Sequence, residues 1–104
     1  MEDSKYKITF LPLFYEDLDK IMDYIIHKLN NEIADKNLLD KIEREIEVRA
    51  NSSAQYEKYK SSKNRKMIYY RIYVNNYTIF YTIKDKTMEV RRILYSRRNF
   101  KKLI

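Results

Sequence analysis

An α+β fold is predicted for this chain, with two consecutive helices packed on one face of a small antiparallel meander. Three observations predict it. Apolar residues from Phe14 to Ile46 recur at helical spacing, whereas those from Met67 to Tyr95 recur at strand spacing. The strand-like stretch is cut by two polar dipeptides, Asn75-Asn76 and Asp85-Lys86, of the kind that make hairpin turns. No repeat is visible, and 104 residues have material for one core, so residues 1–104 are read as a single domain.

The elements follow in order. KYKITF, Lys5 to Phe10, alternates and reads as a first strand, closed by Leu11-Pro12 because proline cannot donate to a ladder and readily opens a helix. From Phe14, the set Phe14, Leu18, Ile21, Met22, Ile25 and Leu29 marks one face of a helix of about four turns. Glu16, Asp17, Asp19, Lys20 and Asp23 are assigned to its other face. Asn30-Asn31 interrupts it and can cap a second helix, with Glu32 in the first turn where the helix dipole favours an acid. That helix runs to about Ala50, with Ala34, Leu38, Leu39, Ile42 and Ile46 inward. Outside, pairs such as Asp40 with Arg44 and Glu45 with Arg49 support it at i,i+4. An antiparallel helical hairpin results.

NSSAQYEKYKSSKNRK, Asn51 to Lys66, has no steady period and reads as a mobile basic loop. MIYYRIYV follows as a strand whose Ile68, Tyr70, Ile72 and Val74 should pack on the helices, leaving Met67, Tyr69, Arg71 and Tyr73 on a mixed face. Asparagine tolerates the positive φ of a tight turn in a chain that has no glycine. YTIFYTIK and TMEVRRILY complete the meander, giving β-α-α-β-β-β with the first strand added at an edge. The register of the last strand stays open, because Val90, Ile93 and Leu94 divide its apolar content between two faces.

Composition narrows the function classes. Absence of cysteine excludes disulfides, thiolate metal sites and cysteine nucleophiles, and fits a reducing cytoplasm. The apolar runs are too short for a membrane span and MEDSKYK has no hydrophobic signal region, so a cytoplasmic location without membrane contact is expected. No cofactor or metal is expected either. Charge is divided unevenly: residues 1–52 hold eight Lys or Arg against twelve acids, a net of −4, while residues 53–104 hold fourteen against three, a net of +11. The second half should therefore attract phosphates or an acidic protein segment. The stretch RRILYSRRNFKKLI concentrates this field, with six cations and no acid.

The order LDKIMDYI, LLDKIEREIE, YRIYVNNYTIFYTI, RRILYSRRNF resembles the RelE/ParE superfamily of bacterial type II toxins across nearly the whole chain. Its most specific part is the hairpin YRIYVNNYTIFY followed by a hydrophobic strand ending in paired arginines. The resemblance implies the toxin of a plasmid-stabilisation or addiction module, which arrests growth unless wrapped by an acidic cognate antitoxin. It also implies one of two actions: metal-independent cutting of messenger RNA on the ribosome, as in RelE-like members, or poisoning of DNA gyrase, as in ParE-like members.

For RNA cleavage the chain would need a base, cations for the charge developing on phosphate, and a proton donor. Arginine suits the second role, because its planar fork meets phosphate oxygens in pairs. Arg98, matching the terminal-strand arginine of the family, is the first catalytic candidate, followed by Arg71 and Tyr95. Arg92, Arg97, Lys101, Lys102, Tyr69 and Tyr73 are candidates for binding nucleic acid or antitoxin. Each taken alone is equally a solvated surface residue. Two departures weaken the nuclease: Thr78 follows Tyr77 where RelE-like chains place an arginine, and the tail offers Phe100 where they tend to end in tyrosine or histidine. Arg71 or Lys66 could replace the first and Tyr95 the second. His27 lies far from the basic strands in sequence and reads as structural or merely exposed, and Glu89 as a cross-strand partner for a cation. The ParE-like action is therefore preferred, the ribosome-dependent nuclease is the alternative, and a non-toxic RNA-binding or protein-interaction module is a third reading.

Overall fold

The computed structural model describes residues 6–28, 32–51, 57–59 and 68–97. Its elements are β1 (Lys7–Phe10), α1 (Pro12–Asp23) continued by a π-helical turn (Tyr24–Lys28), α2 (Glu32–Asn51), β2 (Glu57–Tyr59), β3 (Tyr69–Val74), β4 (Tyr77–Lys84) and β5 (Thr87–Tyr95). The strands form one sheet in the order β1-β5-β4-β3-β2, and β1 alone runs parallel to its neighbour. The α+β class and the edge position of β1 agree with the sequence. Within the stretch read as a loop, however, Glu57–Tyr59 pairs antiparallel with Tyr69–Arg71, so the sheet has a strand that the missing periodicity concealed.

Pro12 occupies the first turn of α1, two residues before the predicted start, where its missing N–H is of no consequence. The chain comes back when Tyr6 N–H donates to the carbonyl of Ala50 at 2.8 Å, tying the end of α2 to the approach of β1. Phe14, Ile25, Leu38, Ile42, Ile46 and Ala50 of the helical layer meet Ile72, Val74, Ile79, Tyr81, Met88, Val90 and Ile93 of the sheet in one buried cluster. Ile72 and Val74 thus pack as predicted and Tyr70 partly so, but Ile68 precedes the strand and is 52% exposed.

Both two-residue turns use residues without glycine at positive φ: Asn75 at 53°, Asp85 at 51° and Lys86 at 62°. Asparagine and aspartate accept this region more easily than lysine does. Lys41 Nζ donates to Asn75 Oδ1 at 3.0 Å, which fastens the first turn to α2.

A register shift settles the facing of β5. Phe80 opposes Arg92 whereas Tyr81 opposes Val90, so Arg91 is the extra residue of a bulge. Strict alternation after Met88 and Val90 would turn Arg92 and Leu94 towards the helices. The bulge instead delivers Ile93 to the core at 1% exposure.

Candidate functional site

The sheet carries its polar chemistry in two places. On the face away from the main core, Arg71 of β3 lies over the ring of Tyr73 at 5.4 Å, and Arg91 of β5 lies over the ring of Tyr69 at 5.8 Å. Each guanidinium lies against a tyrosine ring, where its planar cation is attracted to the ring face. Arg91 also donates to Glu89 at 2.6 Å, and Thr82 reaches the same carboxylate oxygen at 3.5 Å. Glu89 is therefore a cation's partner, but the cation, Arg91, lies two residues along the same strand, and across the strands Glu89 meets Thr82 instead of the cation that the sequence suggested. Tyr73 is half exposed, while Tyr69 is buried.

The second place is a groove of about 550 Å³ where α1 and its π-helical turn meet the far ends of β4 and β5. Lys20, Tyr24, Asn76, Tyr77 and Tyr95 are among its walls. Tyr77 and Tyr95 meet edge to face with ring centroids 6.0 Å apart. Burial, then the nearby phenols of Tyr24 and Tyr95, pushes the Tyr77 hydroxyl above its ordinary pKa. It remains a neutral donor.

Between the two places stands Asp17. Its carboxylate accepts from Arg92 Nε at 2.8 Å and from Arg92 Nη2 at 2.9 Å, and also takes the backbone N–H of Ile93 at 3.1 Å. Hydrogen bonding to Asp17 raises the Arg92 pKa further above its high ordinary value, although burial opposes this. The sequence assignment of Asp17 to the outer face of α1 is thus corrected: Asp17 is only 8% exposed. The reason lies in the sheet. β1 ends opposite Val90, and Asp17 supplies an acceptor to the strand edge that β1 no longer covers. Its position three residues after Phe14 and four before Ile21, on the apolar stripe itself, was the available sign.

Arg49, assigned to an outer i,i+4 pair, also turns inward. It donates to Tyr81 Oη at 3.0 Å and to the Arg71 carbonyl at 3.3 Å. Burial pushes the Tyr81 phenol up to about 12, with the Arg49 bond working against it.

The predicted site residues are therefore separated. Arg71, Tyr69 and Tyr73 share the face away from the main core, joined there by Arg91, which the sequence left undecided against Arg92 and the bulge redirects. Tyr95 lies across the sheet beside Tyr77, and Arg92 is held by α1. Arg97 is exposed just beyond β5. Arg98, Phe100, Lys101 and Lys102 lie outside the described residues, as does Lys66. Thr78, standing where a nuclease-like chain would show arginine, is 1% exposed and shares a 2.8 Å hydrogen bond with the Ser96 hydroxyl. His27 is an exposed residue of the π-helical turn. Among the described residues no cluster of three or more His, Cys, Asp or Glu is placed to hold a metal, and no helix is long and apolar enough to cross a membrane.

A helix pair on one side of a small mixed sheet defines an α+β fold with arginine and tyrosine on its strands. The model of the family described as ParE toxin of type II toxin–antitoxin system, parDE, matches residues 8–100, and the chain belongs to that family. Among solved structures, the chromosomal ParDE toxin–antitoxin system from P. aeruginosa is similar with a TM-score of 0.67 at 15% identity, covering 89% of this chain and 98% of that one. The RelB-RelE antitoxin–toxin complex from Methanococcus jannaschii gives a TM-score of 0.48 at 22% identity, covering 91% and 98%. No curated protein matches.

Proposed function

We propose that the chain acts as one toxin domain over residues 1–104, arrests growth when free, is neutralised by an acidic cognate antitoxin, and is directed at DNA gyrase. The family match over residues 8–100 and the likeness to a ParDE system support the toxin and its antitoxin. One observation carries the preference for gyrase over messenger RNA: Thr78 stands buried and bonded to Ser96 at the position where an exposed arginine would serve RNA cleavage. The fork of Arg92 and the carboxylate of Glu89 are likewise engaged within the fold, which favours a gripping surface over a proton-transfer site. Arg71, Tyr73 and Arg97 then belong to the surface offered to the antitoxin or target, and Arg98, Lys101 and Lys102 stay its candidates from the sequence alone.

The test uses purified protein in two assays. Supercoiling by gyrase should fall in its presence, and messenger RNA on programmed ribosomes should stay whole. Codon-specific cuts with unaffected supercoiling would replace gyrase by the ribosome as target, and Arg98→Ala should then abolish the cuts, with Arg71 and Tyr95 next in order. A protein without effect in either assay or on growth is a binding module.

A further inference from the structure

Strand β1 is an edge of the sheet, and the phase of its ladder tells which of its backbone groups face outward. Lys7 N–H donates to the Lys86 carbonyl at 2.9 Å, and Leu11 N–H to the Val90 carbonyl at 3.0 Å. Successive residues of a strand turn their backbone groups alternately to either side, so Lys7, Thr9 and Leu11 face β5 while Ile8 and Phe10 face away from it. The bond from Tyr6 N–H to the Ala50 carbonyl agrees, since Tyr6 shares the phase of Ile8 and Phe10 and its donor lies away from β5. That leaves the amide and carbonyl of both Ile8 and Phe10 without a partner among the described residues. Beside them lies an apolar patch: Phe10, Leu13 and Tyr15 are all exposed, and the Phe10 ring sits 5.3 Å from Phe14 and 5.7 Å from Tyr15.

We propose that this edge pairs with the same edge of a second copy, antiparallel about a two-fold axis at Thr9, so that two five-stranded sheets become one. A two-fold contact must be complementary to itself. With Thr9 opposite Thr9 of the copy, Ile8 of each chain stands opposite Phe10 of the other, and each such pair exchanges two hydrogen bonds. Every outward group of Ile8 and Phe10 is then satisfied. Neighbouring two-fold registers do worse: centring on Phe10 sets Ile8 against Pro12, which has no N–H, and centring on Ile8 sets Phe10 against Tyr6, whose N–H is already given to Ala50. The side chains agree. Ile8 and Phe10 are in register with Met88 and Val90, on the side of the helical layer, so apolar groups meet there. Lys7, the one charge on the strand, falls opposite Leu11 of the copy and roughly 14 Å from its own counterpart, so no like charges are opposed. An acidic segment fits this edge worse. The groove beside it, about 350 Å³, has Glu43 and Glu47 as its charged residues, and neither forms an ion pair among the described residues.

The chain has no cysteine, so a single introduced one reports the register. Non-bonded antiparallel neighbours stand about 4.5 Å apart at Cα, a separation that a disulfide spans. Thr9→Cys should therefore cross-link into a dimer under mild oxidation, whereas Lys7→Cys, with its two Cα atoms roughly 14 Å apart, should not. A ladder of four residues is a small interface, so the unaltered chain should associate weakly, with sedimentation showing dimer below about 0.5 mM. Phe10→Asp should weaken that association by about tenfold or more. Equal cross-linking of both cysteine variants, or of neither, overturns the pairing, as does a chain still monomeric at about 0.5 mM. A dimer unmoved by Phe10→Asp is built elsewhere and overturns it too. Amide exchange then assigns the edge: protection of Ile8 and Phe10 in a monomer means that the chain covers its own edge, and protection that comes only with another protein means that this partner covers it.

Discussion

The two halves of β5 differ in what covers their outer edge. Thr87 to Val90 is closed by β1, backbone to backbone, whereas Arg91 to Tyr95 is closed at one point by a side chain, the Asp17 carboxylate on Ile93 N–H. A strand edge shut by a strand has its whole ladder paired, whereas one carboxylate satisfies a single backbone donor. The bulge at Arg91 marks the border. Before it, alternation places Met88 and Val90 in the core. After it the phase has slipped, so that Ile93 takes the core position and the two arginines separate, one to Tyr69 and Glu89, the other to α1.

The largest way to break this comparison is to remove the side-chain closure. Asp17→Ala should destabilise the fold by about 3–5 kcal/mol, the usual effect of leaving a largely buried ionic partner unpaired. Urea unfolding measures the loss, and amide exchange should speed at Ile93 while Val90 stays protected. Loss of protection spread equally over both halves would erase the distinction.

Alkali sharpens the contrast next, because Tyr81 belongs to the closed core. Its folded pKa, about 12, lies above the ordinary value of 10.0, so the protonated phenol is favoured by folding. The stability is fully present below pH 10.0 and is lost as pH rises towards about 12, amounting to about 3 kcal/mol at most. Phenolate absorbance should show Tyr81 titrating after the exposed tyrosines, and Tyr81→Phe should flatten the stability profile in that window.

Thr78→Val should cost about 1 kcal/mol, one partly buried hydrogen bond to Ser96. If Thr78 served only as structure, gyrase inhibition would survive the change. The smallest effect is expected at the turn joining β4 to β5: Lys86→Gly relieves a positive φ of 62° and should raise stability by at most about 1 kcal/mol, seen as a higher thermal midpoint.

Much of the architecture was legible from local pattern. The helical stripes, the meander and its Asn75-Asn76 and Asp85-Lys86 turns depend on spacing and backbone chemistry that neighbours in sequence declare. β2 was hidden because three residues in a Ser- and Lys-rich stretch are too few to show an alternation in the sequence. The candidate site was only partly legible. Tyr69, Arg71 and Tyr73 were correctly grouped by alternation within one strand, but Arg92 was offered to an outside ligand although Asp17, 75 residues away, holds its fork.

Composition and periodicity by themselves determined a helix pair on a meander and a basic second half, since these follow from residues close together along the chain. Only the tertiary structure decided which charges remain outward-facing, because pairing across the fold depends on a bulge that shifts register and on an aspartate brought to a strand edge. Arg91 and Arg92 are adjacent and chemically identical. Their different partners arise because the sheet turns one towards Tyr69 on the face away from the main core and the other towards a helix.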